Sequence, residues 1–326
     1  MDVTIVIPTK NGGAQLPSVL EAIFNQQTNL EYEVICVDSG SKDNTLDVIH
    51  KFPQVKLYEI PPEEYGHGKT RNYGASKGSG EFIVFVTQDA VPANDKWLES
   101  LVAAVSADPL CAGGFGIHYP YPDCNLFDKR DLEIHFRGFG QTNTYYWIND
   151  WRRYREDEGF RHMLAFYSDN NSCMRRSIWE KYPYDDVDFA EDQIWARKMI
   201  ELGYHKVYAA EAPVYHSHNY KLSSFAGRFF DEFRSLYKLH HYIIVPSVWL
   251  VLPGAFKHIV SDFSYVKSCK DHLSFKERVY WRYYAFVKNL FRYTCGWLGG
   301  NYHRYSPQKQ MWLDKHLSQQ YKQLKG

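Results

Sequence analysis

The first hundred residues alternate between short apolar runs that end in polar side chains and segments with helical spacing. LPSVLEAIFNQ (16–26), which follows the first run, spaces its apolar residues at helical intervals. Continuous apolar strands separated by helices indicate an α/β fold with a mostly parallel, doubly wound sheet. The runs rich in β-branched and aromatic residues are VTIVIPT (3–9), YEVICVD (32–38), VKLYEI (55–60) and EFIVFVTQD (81–89).

Three of the predicted strands end in a polar side chain, namely Thr9, Asp38 and Asp89. Parallel strands present their carboxyl ends at one edge of a sheet, where such folds bind their ligands. We therefore expect these three side chains to lie close together. The fourth strand is the most informative, because a strand that looks buried on both faces runs directly into Gln88 and Asp89.

Length, cysteines and charge restrict the remaining choices. The 326 residues suffice for one large or two modest domains. No basic leader precedes the first strand and the six cysteines lack metal-binding spacing, which favours a cytoplasmic protein with reduced thiols. Residues 1–218 carry 21 basic and 32 acidic side chains, a balance of −11, whereas residues 219–326 carry 17 and 6, a balance of +11. The basic part predicts an anionic partner, either a membrane or a nucleic acid.

Two segments could contact a nucleotide. In VDSGSKDNT (37–45), Asp38 could accept from a pyrimidine N3–H or a ribose hydroxyl, but Asp38 or Ser39 could equally cap the next helix. In HGKTRNYGA (67–75), Arg71 lies near a predicted helix start. Its planar guanidinium suits a base or a pyrophosphate, although a surface arginine is commonplace.

A divalent cation is the ligand that the TQDA segment suggests. Mg²⁺ and Mn²⁺ favour carboxylate, water and phosphate oxygens, so Asp89 could hold a cation that bridges two phosphates. The alternative, a helix cap, suits Asn94 or Asp95 better. VYHSH (214–218) places His216 and His218 on one strand face, where either could complete the site or make a plain polar contact.

A general base could come from Glu191 or Asp192, which fall in the first turn of the helix predicted over DFAEDQIWARKMIELG (188–203). Acidic residues are expected there for the helix dipole alone. The functional hypothesis is that one of them removes a proton from an acceptor hydroxyl.

Taken in order, VTIVIPTKN, VDSGSKDNT, HGKTRN, FVTQDAVP, AED and VYHSH resemble family 2 glycosyltransferases with the GT-A fold, over roughly residues 1–220. YGHGKTRNYGA, and Thr-Gln-Asp-Ala in place of Asp-x-Asp, resemble the bacterial rhamnosyltransferase branch. The resemblance implies a Rossmann-like, mixed but mostly parallel sheet with helices on both faces. It divides this domain into a nucleotide-binding half, 1–105, and an acceptor-binding half, 106–220.

The resemblance also assigns roles to individual residues. Gln88 replaces the usual first aspartate, which would leave fewer protein charges around the cation. The roles are catalytic base for Asp192; donor contacts for Thr9, Asp38, Ser39, Arg71, Gln88 and Asp89; metal ligands for Asp89, His216 and His218; and acceptor contacts for Asp169, Asn170, Asn171 and Glu191.

The implied activity is transfer of a sugar from a nucleotide donor, dTDP-β-L-rhamnose in this branch, with Mg²⁺ or Mn²⁺ as cofactor and inversion at the anomeric carbon. The implied acceptor is a hydroxyl of a polyprenyl-diphosphate-linked cell-surface glycan. Three alternatives stay open. They are a UDP- or GDP-linked hexose or N-acetylhexosamine donor, a sugar nucleotidyltransferase, for which PTKNGGAQLP is a faint phosphate loop, and a non-catalytic nucleotide-sugar-binding module.

Residues 221–326 are predicted to form a helical, basic and aromatic extension. Its longest uncharged stretch, residues 242–256, contains two prolines and is shorter than the about 20 residues that span a bilayer. That stretch is either a buried helix or an interfacial element. Nothing in the extension resembles a nucleic-acid-binding module, so the pattern favours attachment to the inner face of the cell membrane.

Overall fold

The structure, a computed structural model, describes residues 1–187 and 190–325. The chain divides into two compact units, Met1–Ser217 and His218–Gly326. Asp188 and Phe189, with which the predicted helix 188–203 begins, lie outside the described residues. The helix observed there is Glu191–Glu201.

The described residues of the first unit form a nine-stranded sheet in the order β3-β2-β1-β4-β8-β6-β9-β5, and β7 pairs with β9. The strands are β1 (Val3–Thr9), β2 (Tyr32–Asp38), β3 (Val55–Glu59), β4 (Phe82–Val86), β5 (Val91–Pro92), β6 (Cys111–Tyr119), β7 (Thr144–Tyr146), β8 (Asn171–Arg175) and β9 (His205–Tyr215).

Strand direction differs between the two sides of the sheet. Strands β3, β2, β1 and β4 are parallel, as the alternating sequence pattern predicts. Strand β8 runs antiparallel to both β4 and β6, while β6 and β9 are parallel to each other. Consequently the start of β8 lies at the same edge as the ends of β1, β2, β4, β6 and β9.

Helices cover both faces of the sheet. Along β1, Ile5 and Ile7 belong to a core shared with α1 and α4, whereas Val6 belongs to the opposite core with Ala75 of α3 and Trp195 of α9. This two-sided burial is why the strands read as continuous apolar runs. The helices of this unit are α1 (Leu16–Phe24), α2 (Thr45–His50), α3 (His67–Ser76), α4 (Trp97–Ser106), α5 (Leu126–Arg137), α6 (Trp151–Glu156), α7 (Glu158–Ala165), α8 (Arg176–Trp179) and α9 (Glu191–Glu201).

Residues 110–165 are aromatic and irregular in sequence, so no elements are assigned to this region from the pattern; the structure places β6, β7 and the helices α5 to α7 there. The pattern of YSDNNSCMRRSIWEKY (167–182) predicts a turn and a helix, but this segment also contains the whole of β8. Polar residues such as Asn171 and Ser172 hide this strand from a hydropathy pattern, although both are fully buried.

The second unit is helical, as predicted. Helix α12 packs against both α10 and α11, and Gly299 permits this approach because a Cβ there would lie 2.2 Å from the Phe230 carbonyl oxygen. In the part of the chain that the structure describes, no helix is both long and apolar enough to cross a bilayer. The helices are α10 (Leu222–His240), α11 (Val251–Ser268), α12 (Phe275–Gly300), α13 (Pro307–His316) and α14 (Gln319–Lys325).

Candidate active site

The polar ends of β1 and β2 form a paired group at the carboxyl edge of the sheet. Thr9 and Asp38 are register partners, and Thr9 Oγ1 donates to Asp38 Oδ2 at 3.0 Å. The Asp38 carboxylate also accepts from the backbone N–H groups of Gly40 and Ser41 and from the Ser41 hydroxyl. Asp38 is fully buried, so these hydrogen bonds offset its desolvation.

The helix-cap alternative for Asp38 and Ser39 is wrong. Helix α2 begins at Thr45 with Asn44 at its N-cap, well beyond either residue. Ser39 is buried, and both its backbone N–H and its hydroxyl donate to the Thr9 carbonyl oxygen. These bonds fix a turn rather than a helix start.

Gln88 supports the loop after β1. The Lys10 backbone N–H donates to Gln88 Oε1 at 2.9 Å, and Gln88 Nε2 donates to the Lys10 carbonyl oxygen at 3.0 Å. A carboxylate could make only the first of these bonds, because it has no donor. This pairing gives a physical reason for an amide where Asp-x-Asp proteins carry an acid.

Asp89, His216 and His218 lie together, with one ligand atom from each within 4.8 Å of the others. His216 Nε2 is 3.6 Å from Asp89 Oδ1. The two histidines are not on a strand face as predicted, since β9 ends at Tyr215 and both follow it. Asp89 does not cap α4 either, because Lys96 occupies that N-cap and its N–H donates to Asn94 Oδ1.

Two residues that the sequence analysis missed support this cluster. The Tyr121 hydroxyl donates to the Asp89 carbonyl oxygen at 3.0 Å, and its backbone N–H donates to Ser217 Oγ, between the two histidines. Burial and the Asp89 charge raise the pKa of Tyr121 to about 12, so the phenol stays protonated as a donor. His118 lies edge-on to His216, with ring centroids 5.4 Å apart. Both fall in the unassigned region, where only proximity in the fold identifies them.

A second acidic cluster surrounds Arg71. Its Nη1 donates to Glu191 Oε1 at 2.8 Å, and its Nε lies 3.3 Å from Asp169 Oδ2, an ion pair without hydrogen-bond alignment. All three residues are buried. Burial alone would lower the pKa of Arg71. The carboxylates of Asp169 and Glu191 outweigh that effect and raise the pKa above its ordinary value, so the guanidinium stays charged. The ion pairs of Arg71 are therefore with two of the predicted acceptor-side residues, Asp169 and Glu191.

Glycine and asparagine in the HGKTRN segment bring Arg71 to this place. A Cβ at Gly68 would lie 2.8 Å from the Asp185 carbonyl oxygen and 3.3 Å from Glu191 Cβ, so a larger residue would push α3 away from α9. Asn72 Nδ2 donates to the Tyr184 carbonyl oxygen, and the Tyr184 hydroxyl donates to Asp169 Oδ1 at 2.6 Å.

Asp192 is half-buried at the N-terminus of α9, beside this cluster. Its Oδ1 accepts from the Gln193 N–H at 2.7 Å and its Oδ2 from the Asp169 N–H at 3.3 Å. Burial, and then the charges of Asp169 and Glu191, raise the pKa of Asp192 well above its ordinary value, although Arg71 opposes the shift. Burial likewise raises the pKa of Asp169 to about 6. A carboxyl group with a raised pKa is suited to general-base catalysis near neutral pH.

The burial of Asn171 argues against its predicted role as an acceptor contact. It has no exposed surface, Trp97 Nε1 donates to its Oδ1 at 2.9 Å, and its Nδ2 donates to the Ala212 carbonyl oxygen at 2.8 Å. It therefore joins α4, β8 and β9 inside the unit, and we do not retain it as an acceptor contact. Asn170, immediately before it, is half-buried at the edge of the sheet.

The sequence is similar to proteins that are named as glycosyltransferases. Residues 4–182 match the family described as Glycosyl transferase family 2. The chain is 36% identical over 235 residues to the O-antigen chain rhamnosyltransferase RfbN of Salmonella typhimurium, covering 71% of each chain. It is 33% identical over 233 residues to the O-antigen chain rhamnosyltransferase WbaN of Salmonella anatum, covering 70% of each.

Solved structures share the fold at lower identity. The mannosyltransferase PcManGT from Pyrobaculum calidifontis, in complex with GDP-Man and Mn²⁺, has a TM-score of 0.58 at 15% identity, over 93% of this chain and 88% of that one. S. aureus TarS 1-349 has a TM-score of 0.55 at 15% identity, over 93% and 92%. These likenesses confirm the predicted fold class.

Proposed function

The chain belongs to Glycosyl transferase family 2 and is a glycosyltransferase, and from that premise we propose an inverting, metal-dependent L-rhamnosyltransferase. The proposed donor is dTDP-β-L-rhamnose and the proposed acceptor is a hydroxyl of a lipid-linked glycan. The observation that carries the proposal is the juxtaposition of Asp89, His216 and His218 at the edge of the sheet that also holds Asp38 and Asp192.

The donor atoms of the cluster fit a divalent cation. One carboxylate oxygen and two imidazole nitrogens lie within 4.8 Å of one another, so the three side chains could hold one ion. Nitrogen donors suit transition metals better than Mg²⁺, which prefers oxygen, so Mn²⁺ is the better match. When bound, the cation would neutralise the charge that develops on the departing diphosphate.

In this mechanism Asp192 acts as the general base. Its carboxylate accepts the proton of the acceptor hydroxyl as that oxygen attacks the anomeric carbon on the face opposite the leaving nucleoside diphosphate. The C–O bond to the diphosphate breaks as the new glycosidic bond forms, which gives an α-L-rhamnoside. Asp169 and Glu191 support the raised pKa of Asp192, and Arg71 limits it.

The nucleoside contacts centre on Asp38. Its carboxylate already accepts from Thr9, Gly40 and Ser41, so a nucleoside N–H or hydroxyl would displace the Ser41 hydroxyl, which is free to rotate to another acceptor. The rhamnose part of the proposal is supported by relatives named as O-antigen chain rhamnosyltransferases, and the thymidine diphosphate carrier is part of the proposal. The same names support a polysaccharide acceptor, and its lipid anchor is part of the proposal.

A donor panel tests the proposal. Release of nucleoside diphosphate would be measured with dTDP-rhamnose, UDP-glucose, UDP-N-acetylglucosamine and GDP-mannose, each with Mn²⁺, with Mg²⁺ and with EDTA. We expect dTDP-rhamnose with Mn²⁺ to give the highest rate and EDTA to abolish it. Preference for a UDP- or GDP-sugar would overturn the donor assignment, and full activity in EDTA would overturn the metal dependence.

A further inference from the structure

The second unit exposes an unusual amount of apolar side chain at one place. Trp249 is 85% exposed, Leu252 71% and Phe256 68%. With Val260 they follow spacings of three and four residues, which places them on one side of the segment that leads into and through the first half of α11. We call these four residues the 249–260 face.

The opposite side of α11 is already used for packing inside the unit. Val251, Ala255 and Ile259 are buried, and each precedes a member of the exposed face by one position. A Cβ at Gly254 would lie 2.1 Å from the Tyr293 ring, which shows how closely α11 approaches α12. The helix is therefore held by its inner side, and the 249–260 face is not needed for that packing. This corrects the interpretation of residues 242–256 as a buried helix.

Charge around the face favours one kind of partner. Residues 235–261 contain Lys238 and Lys257 but no aspartate or glutamate. Lys257 is exposed directly beside Phe256. The whole of residues 219–326 carries a balance of +11. This segment combines exposed tryptophan and other apolar side chains with lysine and lacks acidic residues. Such a composition is typical of elements that lie in the plane of an anionic membrane surface.

We propose that the 249–260 face inserts into the headgroup layer of an anionic phospholipid bilayer, with Trp249 as its anchor and Lys257 contacting lipid phosphates. Tryptophan is enriched at that depth because its ring is apolar and its N–H can still reach water. Insertion would remove the apolar face from water, which is the driving force, and the basic balance adds attraction to the negative surface. This inference is independent of the sugar donor and acceptor.

The test is vesicle co-sedimentation of the full chain without sugar donor or glycan. We expect binding to phosphatidylglycerol-rich vesicles, weaker binding to phosphatidylcholine alone, and loss of binding at high salt. The triple variant Trp249→Gln, Leu252→Gln, Phe256→Gln should weaken binding by about tenfold or more, because it removes the inserted apolar surface. A matched control changes Leu110, Ile134 and Leu202, exposed apolar residues of the first unit, to Gln, and should bind as the wild type.

Several outcomes would overturn the inference. One is absence of vesicle binding by the wild-type chain, and another is equal binding by the triple and control variants. A third outcome concerns self-association. Light scattering would show a dimer for the wild type and a monomer for the triple variant, and neither protein would bind vesicles. The 249–260 face would then join two copies of the chain. Far-UV circular dichroism of both variants checks that the helices are retained.

Discussion

Two clusters that contain carboxylates lie at the same edge of the sheet, and they differ in what neutralises the negative charge. The cluster of Asp169, Glu191 and Asp192 carries its own buried cation, the Arg71 guanidinium. The cluster of Asp89, His216 and His218 combines a single carboxylate with two imidazoles and lies nearer the surface. The first is complete within the protein, whereas the second has the donor set of a site that receives a cation.

The difference indicates that the two clusters have separate roles. A carboxylate in a buried, mostly negative group keeps a raised pKa and can take a proton, which suits Asp192. A carboxylate beside nitrogen donors and open to solvent suits metal binding, as at Asp89. The following predictions change one cluster at a time, from the largest expected effect to the smallest.

Asp192→Asn should lower kcat by about 10³-fold, because an amide cannot accept the acceptor proton. Donor binding, measured by titration calorimetry with dTDP-rhamnose, should stay within a factor of about two, since the change lies in the other cluster. Asp185→Asn, an acidic residue upstream of α9, is the matched control. Retention of near wild-type turnover by Asp192→Asn would show that another group takes the proton.

Asp89→Asn should weaken Mn²⁺ binding by about tenfold or more, because it removes the carboxylate of the proposed metal site formed with His216 and His218. Electron paramagnetic resonance of free Mn²⁺ gives the dissociation constant without relying on turnover. Turnover should fall as well, and excess Mn²⁺ should restore part of it. Unchanged Mn²⁺ affinity in this variant would separate Asp89 from the metal and remove the basis of the proposed function.

Arg71→Met should shift the acid limb of the kcat profile to higher pH by about one unit. The direction of this shift follows from the role of Asp192 as a base. Asp192 must be deprotonated to act, so activity falls as the pH drops through its raised pKa. Loss of the Arg71 guanidinium raises that pKa further, which moves the limb to higher pH. Arg71→Lys keeps the charge and should leave the limb near its wild-type position. If the limb does not move and the donor KM rises instead, Arg71 contacts the donor, as the sequence resemblance implied.

Gln88→Glu should have the smallest effect, a rise of a few-fold in donor KM, which corresponds to about 1 kcal/mol. The carboxylate cannot donate to the Lys10 carbonyl oxygen, so the loop after β1 loses one of its two bonds to residue 88. Gln88→Met, which removes both bonds at similar volume, should raise the donor KM further. Tighter Mn²⁺ binding by Gln88→Glu with unchanged donor KM would instead make residue 88 a metal ligand.

The sequence by itself determined the parallel half of the sheet and the approximate position of the Asp89, His216 and His218 cluster. Both come from local patterns: apolar runs set β1 to β4, and the first polar residues after them must fall at one edge. Thr9 and Asp38 are hydrogen-bonded there as expected. His216 and His218 are predicted on a strand face, but β9 ends at Tyr215 and both histidines follow it.

Only the tertiary structure decided how the acidic residues are partnered. Arg71 and Glu191 are 120 positions apart, so no local pattern reports their ion pair. The resemblance implied an acceptor contact for Asn171, yet its side chain is buried and hydrogen-bonded to Trp97 and to the Ala212 carbonyl oxygen. Strand β8 reverses direction against β4, which brings Asp169 from before a strand to the edge where other strands end. Such contacts depend on strand order, which hydrophobic periodicity does not encode.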